Sequence, residues 1–282
     1  MEIKLMKSLI TDIRKRISDR ATATKEFDLS KISNKLNNKL LGLQRGKLYI
    51  VAGRVSNGKT AFMCDMAYNL IMGGKKVAFI SLEMEHIDIA ERILARALTI
   101  DHRQFHSKEG IQEMDEQREL LNKLYEDQFK NLAITQNIGF SFKELDEVVK
   151  KYLATYDVII IDYLQMVRGS STAKENMDEY LKHLRGLAIK QQKVIVLGSQ
   201  INRAGASKEG KEMLPSMSDT KGTGCIEEVA DVVLLCHWQY IYSKNEADKN
   251  KFKLIVDKNR ATGETGHIEL AFHPEFYRFK EV

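Results

Sequence analysis

Proline is nearly absent from this chain. It occurs only at Pro215 and Pro274, both in stretches that read as loop, so no predicted helix or strand meets a proline break. Cysteine is scarce as well. Cys64, Cys225 and Cys236 are odd in number and lack metal-ligand spacing, which excludes a disulfide framework and a thiolate zinc site and predicts reduced thiols of a cytosolic protein. No apolar run approaches the ~18 residues that cross a bilayer as a helix, and charges scattered through 1–20 exclude a secretory leader. The expectation is a cytoplasmic protein without a membrane partner.

What the chain does contain is an ordinary globular mixture, 43% apolar and 29% charged over 282 residues. That excludes wholesale disorder and suffices for one large α/β domain with a small appendage. Its charge is uneven. Residues 1–50 carry 12 Lys/Arg against 5 Asp/Glu, and the rest 32 against 34. A basic arm thus precedes a nearly neutral body, as a nucleic-acid contact or as a solvated helix face. Within the arm Met6, Ile10, Ile13 and Ile17 recur at helical steps among Lys7, Arg14, Lys15, Arg16 and Arg20. This stripe predicts an amphipathic helix buried on its own domain or on a neighbouring subunit. The expected division is a linker over 1–42 and a body over 43–282.

Through the body, short apolar runs alternate with helical patterns. Strands are predicted at Leu48–Ala52, Val77–Ser81, Leu132–Thr135, Val158–Asp162, Val194–Leu197, Ala230–Leu235, Phe252–Asp257 and His267–Phe272. Helices are predicted at Gly58–Met72, Glu85–Thr99, Ile111–Gln128, Phe142–Leu153 and Lys174–Gln191. Continuous rather than alternating apolar runs mean strands covered on both faces. The alternation of strand and helix means right-handed βαβ units and a mostly parallel sheet. Gly263 and Gly266 between the last two strands suggest a hairpin.

The chemistry concentrates at the ends of these strands. Gly53 to Thr60, GRVSNGKT, lies between a strand and a helix and has the pattern of a phosphate-binding loop. Gly53 and Gly58 allow a tight wrap that offers N–H groups, with Ser56, Asn57 and Ala61 in the same cradle. Lys59 is placed to reach β- and γ-phosphates, and the Thr60 hydroxyl to ligate Mg²⁺. The segment therefore predicts a nucleoside triphosphate with Mg²⁺ as ligand. Asp162 ends the apolar run 158–161, where a carboxylate holds that cation directly or through water. Glu83, just past the second strand, has the position of a base for an attacking water or of an acid at a helix start. Gln200 has the position of a γ-phosphate sensor or of a surface amide. Lys258 and Arg260 leave a strand end either as transition-state cations or as solvated charges. Spacing alone leaves these last three choices open.

Six segments together carry a resemblance: GRVSNGKTAF, FISLEM, IIIDYLQM, GSQINR, SDTKGTGCIEEVADVV and KNRATGETGHIELAF with FYRF. In order and spacing they resemble the C-terminal motor domain of DnaB-type replicative helicases, from about Leu43 to Phe279. The resemblance implies a RecA-like ATPase core in a hexameric ring, using ATP and Mg²⁺ to move 5′ to 3′ on single-stranded DNA, with a primase or helicase loader as possible partner. It implies Glu83 as catalytic glutamate, Asp162 as metal aspartate and Gln200 as γ-phosphate sensor. Lys258 and Arg260 become a pair acting in trans on the next subunit's ATP. Lys221, Gly222 and Gly224 fall in the loop that grips the DNA backbone, and the helix of the basic arm corresponds to a linker packed on the adjacent subunit. Two departures stand out. The DNA loop reads Lys221-Gly222-Thr223-Gly224 where the family usually has Arg-Glu-Ser-Gly, and Val55 and Asn57 replace the usual Pro and Met. The alternative function is a RecA-like recombination or clamp-type ATPase. A non-catalytic loading partner fits less well, because the catalytic set is present. With about 40 residues ahead of the motor, the expectation is either a compact phage- or plasmid-type form or a motor domain trimmed from a longer protein, in bacterial or phage-infected cytosol.

Overall fold

The computed structural model describes residues 27–163, except six positions between 109 and 117, together with 173–201, 214–217 and 225–282. The amphipathic arm and the Lys221 loop lie outside these residues.

The strands in chain order are β1 (Lys47–Gly53), β2 (Val77–Ser81), β3 (Leu132–Gln136), β4 (Val158–Asp162), β5 (Val194–Gln200), β6 (Val232–Trp238), β7 (Lys251–Asn259), β8 (Gly266–His273) and β9 (Arg278–Glu281). They form one nine-stranded sheet of order β3-β2-β4-β5-β1-β6-β7-β8-β9. From β3 to β6 every pairing is parallel, and β6 to β9 pair antiparallel. The expected β7–β8 hairpin is present. The longer helices are α1 (Asn34–Leu40), α2 (Lys59–Met72), α3 (His86–Leu98), α4 (Arg118–Asp127), α5 (Phe142–Leu153) and α6 (Ala173–Gln191). Two short ones follow, α7 (Cys225–Val229) and α8 (Tyr240–Ser243).

The period-two geometry of a strand divides each apolar run between two cores. Tyr49, Val51, Phe79, Ile160 and Val196 face α2 and α3. Leu48, Ile50, Ile80, Ile159, Ile161, Ile195 and Leu197 face α5, α6 and α7. With helices on both sides the middle of each inner strand is covered on both faces, which explains the unbroken apolar runs. α2, central in the first core, buries residues around most of its circumference. Its one buried carboxylate is fully partnered. Asp65 Oδ1 accepts from Arg96 Nε of α3 at 2.5 Å and from Asn69 at 3.0 Å, while Oδ2 accepts from the Phe279 N–H of β9 at 2.9 Å. Burial pushes the Asp65 carboxyl above its ordinary range, against the pull of Arg96.

Some elements differ from expectation. β5 runs through Gly198 and Ser199 to Gln200 instead of turning after Leu197, because β1 pairs with it as far as Gly53–Gln200. β6 begins at Val232, with Asp231 ahead of it accepting from the Leu48 N–H. β9 is an additional strand, too short to stand out from its turn. The stretch 27–42, grouped in sequence with the basic arm, contributes Phe27, Leu29, Ile32, Leu36 and Leu40 to the first core. The C-terminal strand fixes it there: Glu281 accepts from Ser33 Oγ at 2.9 Å and from the Lys35 N–H at 3.1 Å, at the start of α1.

Candidate nucleotide site

The phosphate loop leaves the end of β1, and that strand's neighbours decide what stands beside it. Gly53 is in register with Gln200 on one side and Cys236 on the other. Ser81 of β2 pairs with Asp162 of β4, which brings Glu83, two residues on, to the same edge. Residues far apart in sequence thus meet at the carboxyl ends of parallel strands, where open α/β sheets bind ligands.

Ser56 and Gly58 take positive φ, 63° and 77°. Left-handed residues in a tight turn expose successive N–H groups as an anion nest, and the first N–H groups of α2 have no partner within the helix. Gly58 is required twice over, since a Cβ there would also lie 3.1 Å from the Phe252 ring. Below the loop, Thr60 Oγ1 donates to Asp162 Oδ2 at 2.5 Å and Lys59 Nζ stands 3.1 Å from Asp162 Oδ1. Lys59 also lies over the Tyr163 ring, 3.7 Å from its centroid. Asp162 is 1% exposed, and its Oδ1 faces the Lys59 ammonium. A Cβ on Gly198 would come 2.8 Å from that oxygen, so glycine at 198 is what allows β5 past the carboxylate.

A cavity of about 490 Å³ opens over the loop, bounded by Gly53 to Ala61, Glu83, Arg92, Tyr163 and Gln200, with an aromatic wall of His102, Trp238, Phe272 and Tyr277. The His102 and Tyr277 rings are 4.9 Å apart, and the Arg92 guanidinium lies 5.0 Å from the Tyr277 centroid. Burial raises the Glu83 carboxyl; Lys59 and Arg92 pull it down and Asp162 pushes it up. Among the described residues no three His, Cys, Asp or Glu side chains form a metal cluster. A cation here would have to be held by Asp162, Thr60 and the bound phosphates, an arrangement suited to Mg²⁺. The buried Asp162 carboxylate, with the Thr60 hydroxyl on Oδ2 and the Lys59 ammonium beside Oδ1, fits such an ion.

The other two predicted residues are elsewhere. Lys258 and Arg260 leave the far end of β7, where Lys258 pairs with Val233 and Asn259 with Val232, at the start of β6. A bulge at Asp257 precedes them and turns the strand end. Both cations rest on backbone carbonyls of α7, Lys258 on Glu227 and Arg260 on Glu228. Burial, then Arg260, lowers the Lys258 ammonium. Lys221, Gly222 and Gly224 lie outside the described residues. Sequence reasoning did not find Arg92, His102, Tyr163, Gly198 or the aromatic wall; Tyr163, Gly198, Phe272 and Tyr277 lie in segments that carry the resemblance, which is the signal that could have found them. The three cysteines are free and buried, and among the described residues no helix is long and apolar enough to cross a membrane.

The profile of the DnaB-like helicase C-terminal domain matches residues 29–281. The chain belongs to this family. Among similar proteins, the replicative DNA helicase DnaB of Pasteurella multocida (strain Pm70) is 30% identical over 254 residues, 88% of this chain and 54% of that protein. A probable plasmid replicative DNA helicase of Chlamydia psittaci is 33% identical over 228 residues, 77% of this chain and 48% of that one. The chain therefore spans about half the length of the curated relatives it matches. A solved ATPase domain superposes with a TM-score of 0.84 at 21% identity, covering 100% of both chains. A DnaB-like replicative helicase, solved in a study of its interactions with primase, gives 0.81 at 21% identity over 100% of this chain and 68% of that one. Both bear out the mostly parallel RecA-like α/β fold of the DnaB-like motor.

Proposed function

We propose that the chain is the motor of a ring-shaped, ATP-dependent replicative DNA helicase, with ATP bound at each subunit interface. The observation that carries this is the convergence of Lys59, Thr60 and Asp162 beneath the phosphate loop, with Glu83 and Gln200 on the same rim. In this reading the loop N–H groups and Lys59 hold the β- and γ-phosphates. Thr60 and Asp162 would hold Mg²⁺, which when bound would supply charge neutralisation at the phosphates. Glu83 accepts the proton of the attacking water, a role favoured by the upward shift that burial gives its carboxyl. Gln200, at the end of a central strand, reports the γ-phosphate to the segment that follows it. Trp238, Phe272, Tyr277 and His102 offer stacking surface to the base.

Lys258 and Arg260 stand too far from their own loop to serve it, which supports their acting on a neighbour's ATP. Lys221, Gly222 and Gly224 are proposed to grip the backbone of single-stranded DNA without reading sequence. The oligomer is proposed to be a hexamer moving 5′ to 3′ in the cytoplasm, with a primase or loader as partner. The test is strand displacement on a forked duplex, with ATP turnover measured with and without oligo-dT. DNA-stimulated turnover with displacement is expected. Turnover without displacement would favour the clamp-type ATPase, and no turnover would remove the enzymatic reading.

A further inference from the structure

The side chain of Asn57 lies in the phosphate loop, and its hydrogen bonds tie that loop to neighbouring elements. It is 2% exposed. Its Oδ1 accepts two hydrogen bonds, from the Trp238 N–H at 3.1 Å and from the Tyr242 hydroxyl at 3.1 Å, and its Nδ2 donates to the Val55 carbonyl at 3.2 Å. Trp238 ends β6 and forms part of the aromatic wall. Tyr242 lies on α8, its ring stacked on His237 at 4.9 Å. One buried amide thus joins three elements: the crown of the phosphate loop, the end of β6 and, through the Tyr242 hydroxyl, α8.

We propose that Asn57 is a positioning residue that fixes the phosphate loop to the aromatic wall before nucleotide arrives, so that the phosphate and base subsites form one preorganised unit. The proposal rests on the nucleotide reading above. The loop needs such a tie because Ser56 adopts φ 63°, a conformation that L residues rarely hold unaided. Both acceptor bonds run from the loop to a different element, so they resist the loop's relaxation directly. Without them the empty loop samples other shapes, and binding must first reorder it, which weakens affinity for di- and triphosphate alike.

The chain carries a reporter at this corner, for Trp238 is its only tryptophan. The experiment is a titration of intrinsic fluorescence in the full chain with a non-hydrolysable ATP analogue, on wild type, Asn57→Ala, Tyr242→Phe and Lys59→Ala, with thermal melts of each empty protein. Losing two hydrogen bonds of ordinary net strength predicts roughly tenfold weaker binding for Asn57→Ala. Tyr242→Phe loses one bond at a partly exposed ring and should weaken binding about threefold by the same reasoning. The empty Asn57→Ala protein should also show Trp238 emission shifted from wild type. A residue that merely supports the fold would lower the melting temperature and leave affinity unchanged. Wild-type affinity in both Asn57→Ala and Tyr242→Phe, with Lys59→Ala impaired, overturns the proposal alone. No binding by wild type, or equal binding by wild type and Lys59→Ala, overturns the nucleotide reading and the proposal with it.

Discussion

If Arg260 serves a neighbour's site, two inactive variants should rescue each other. Asn259 pairs with Val232, while Gly53 pairs with Cys236, four residues further along β6. At strand rise and strand spacing that is about 13 Å along the sheet and about 10 Å across it, ~16 Å in all. The phosphates would lie beyond Gly53, in the direction away from Arg260, so no arginine rotamer spans the gap. Arg260→Ala and Lys59→Ala should each lower DNA-stimulated turnover by ~10³-fold or more while leaving assembly intact. In a ring assembled at random from equal amounts, about a quarter of the head-to-tail interfaces join an intact Lys59 to an intact Arg260. The mixture should therefore recover up to about a quarter of wild-type turnover, less where sites must fire in sequence. The assay is phosphate release after co-refolding or subunit exchange, with exchange verified by mass-tagged chains. A mixture no more active than its components, once exchange is shown, refutes the in-trans reasoning.

Three further outcomes are expected. Gly198→Ala places a methyl 2.8 Å from Asp162 Oδ1; the displaced carboxylate should cost on the order of 10²-fold in turnover, and an unchanged rate across a Mg²⁺ titration would show that β5 gives way instead. Glu83→Gln should abolish turnover and keep nucleotide binding. In wild type the acid limb of the rate profile should lie above that of an ordinary glutamate, because burial raises this carboxyl and the base is lost as pH falls through its pKa. Arg96→Ala strands the Asp65 carboxylate and should cost about 3–5 kcal/mol in urea unfolding at pH 7. Its folded-state pKa rises further without Arg96, so the folded state binds the proton more tightly. The deficit should therefore shrink as pH is lowered through that raised value, and equal deficits at pH 7 and 5.5 would count against a buried charge.

The sequence by itself determined the layered architecture and the chemical inventory. Apolar runs such as Val158–Ile161 were legible as strands covered on both faces, because burial on two sides removes the polar alternation. The phosphate loop was legible because phosphate binding by backbone demands glycines and a lysine at fixed spacing. Asp162 could be read from its place at a strand end. Those signals are local, carried within a few residues. Tertiary structure alone decided how strands from four parts of the chain order themselves, and hence that Glu83 and Gln200 reach the rim while Lys258 and Arg260 do not. It also decided that residues 27–42 join the core, that Gly198 makes room for Asp162, and that Phe272 meets Trp238 and Tyr277 meets His102 over the cavity. The Asn57 tie is of the same kind. Trp238 and Tyr242, which donate to Asn57, stand more than 180 residues away, and which neighbour a loop amide meets depends on sheet order, which no local pattern of residues encodes.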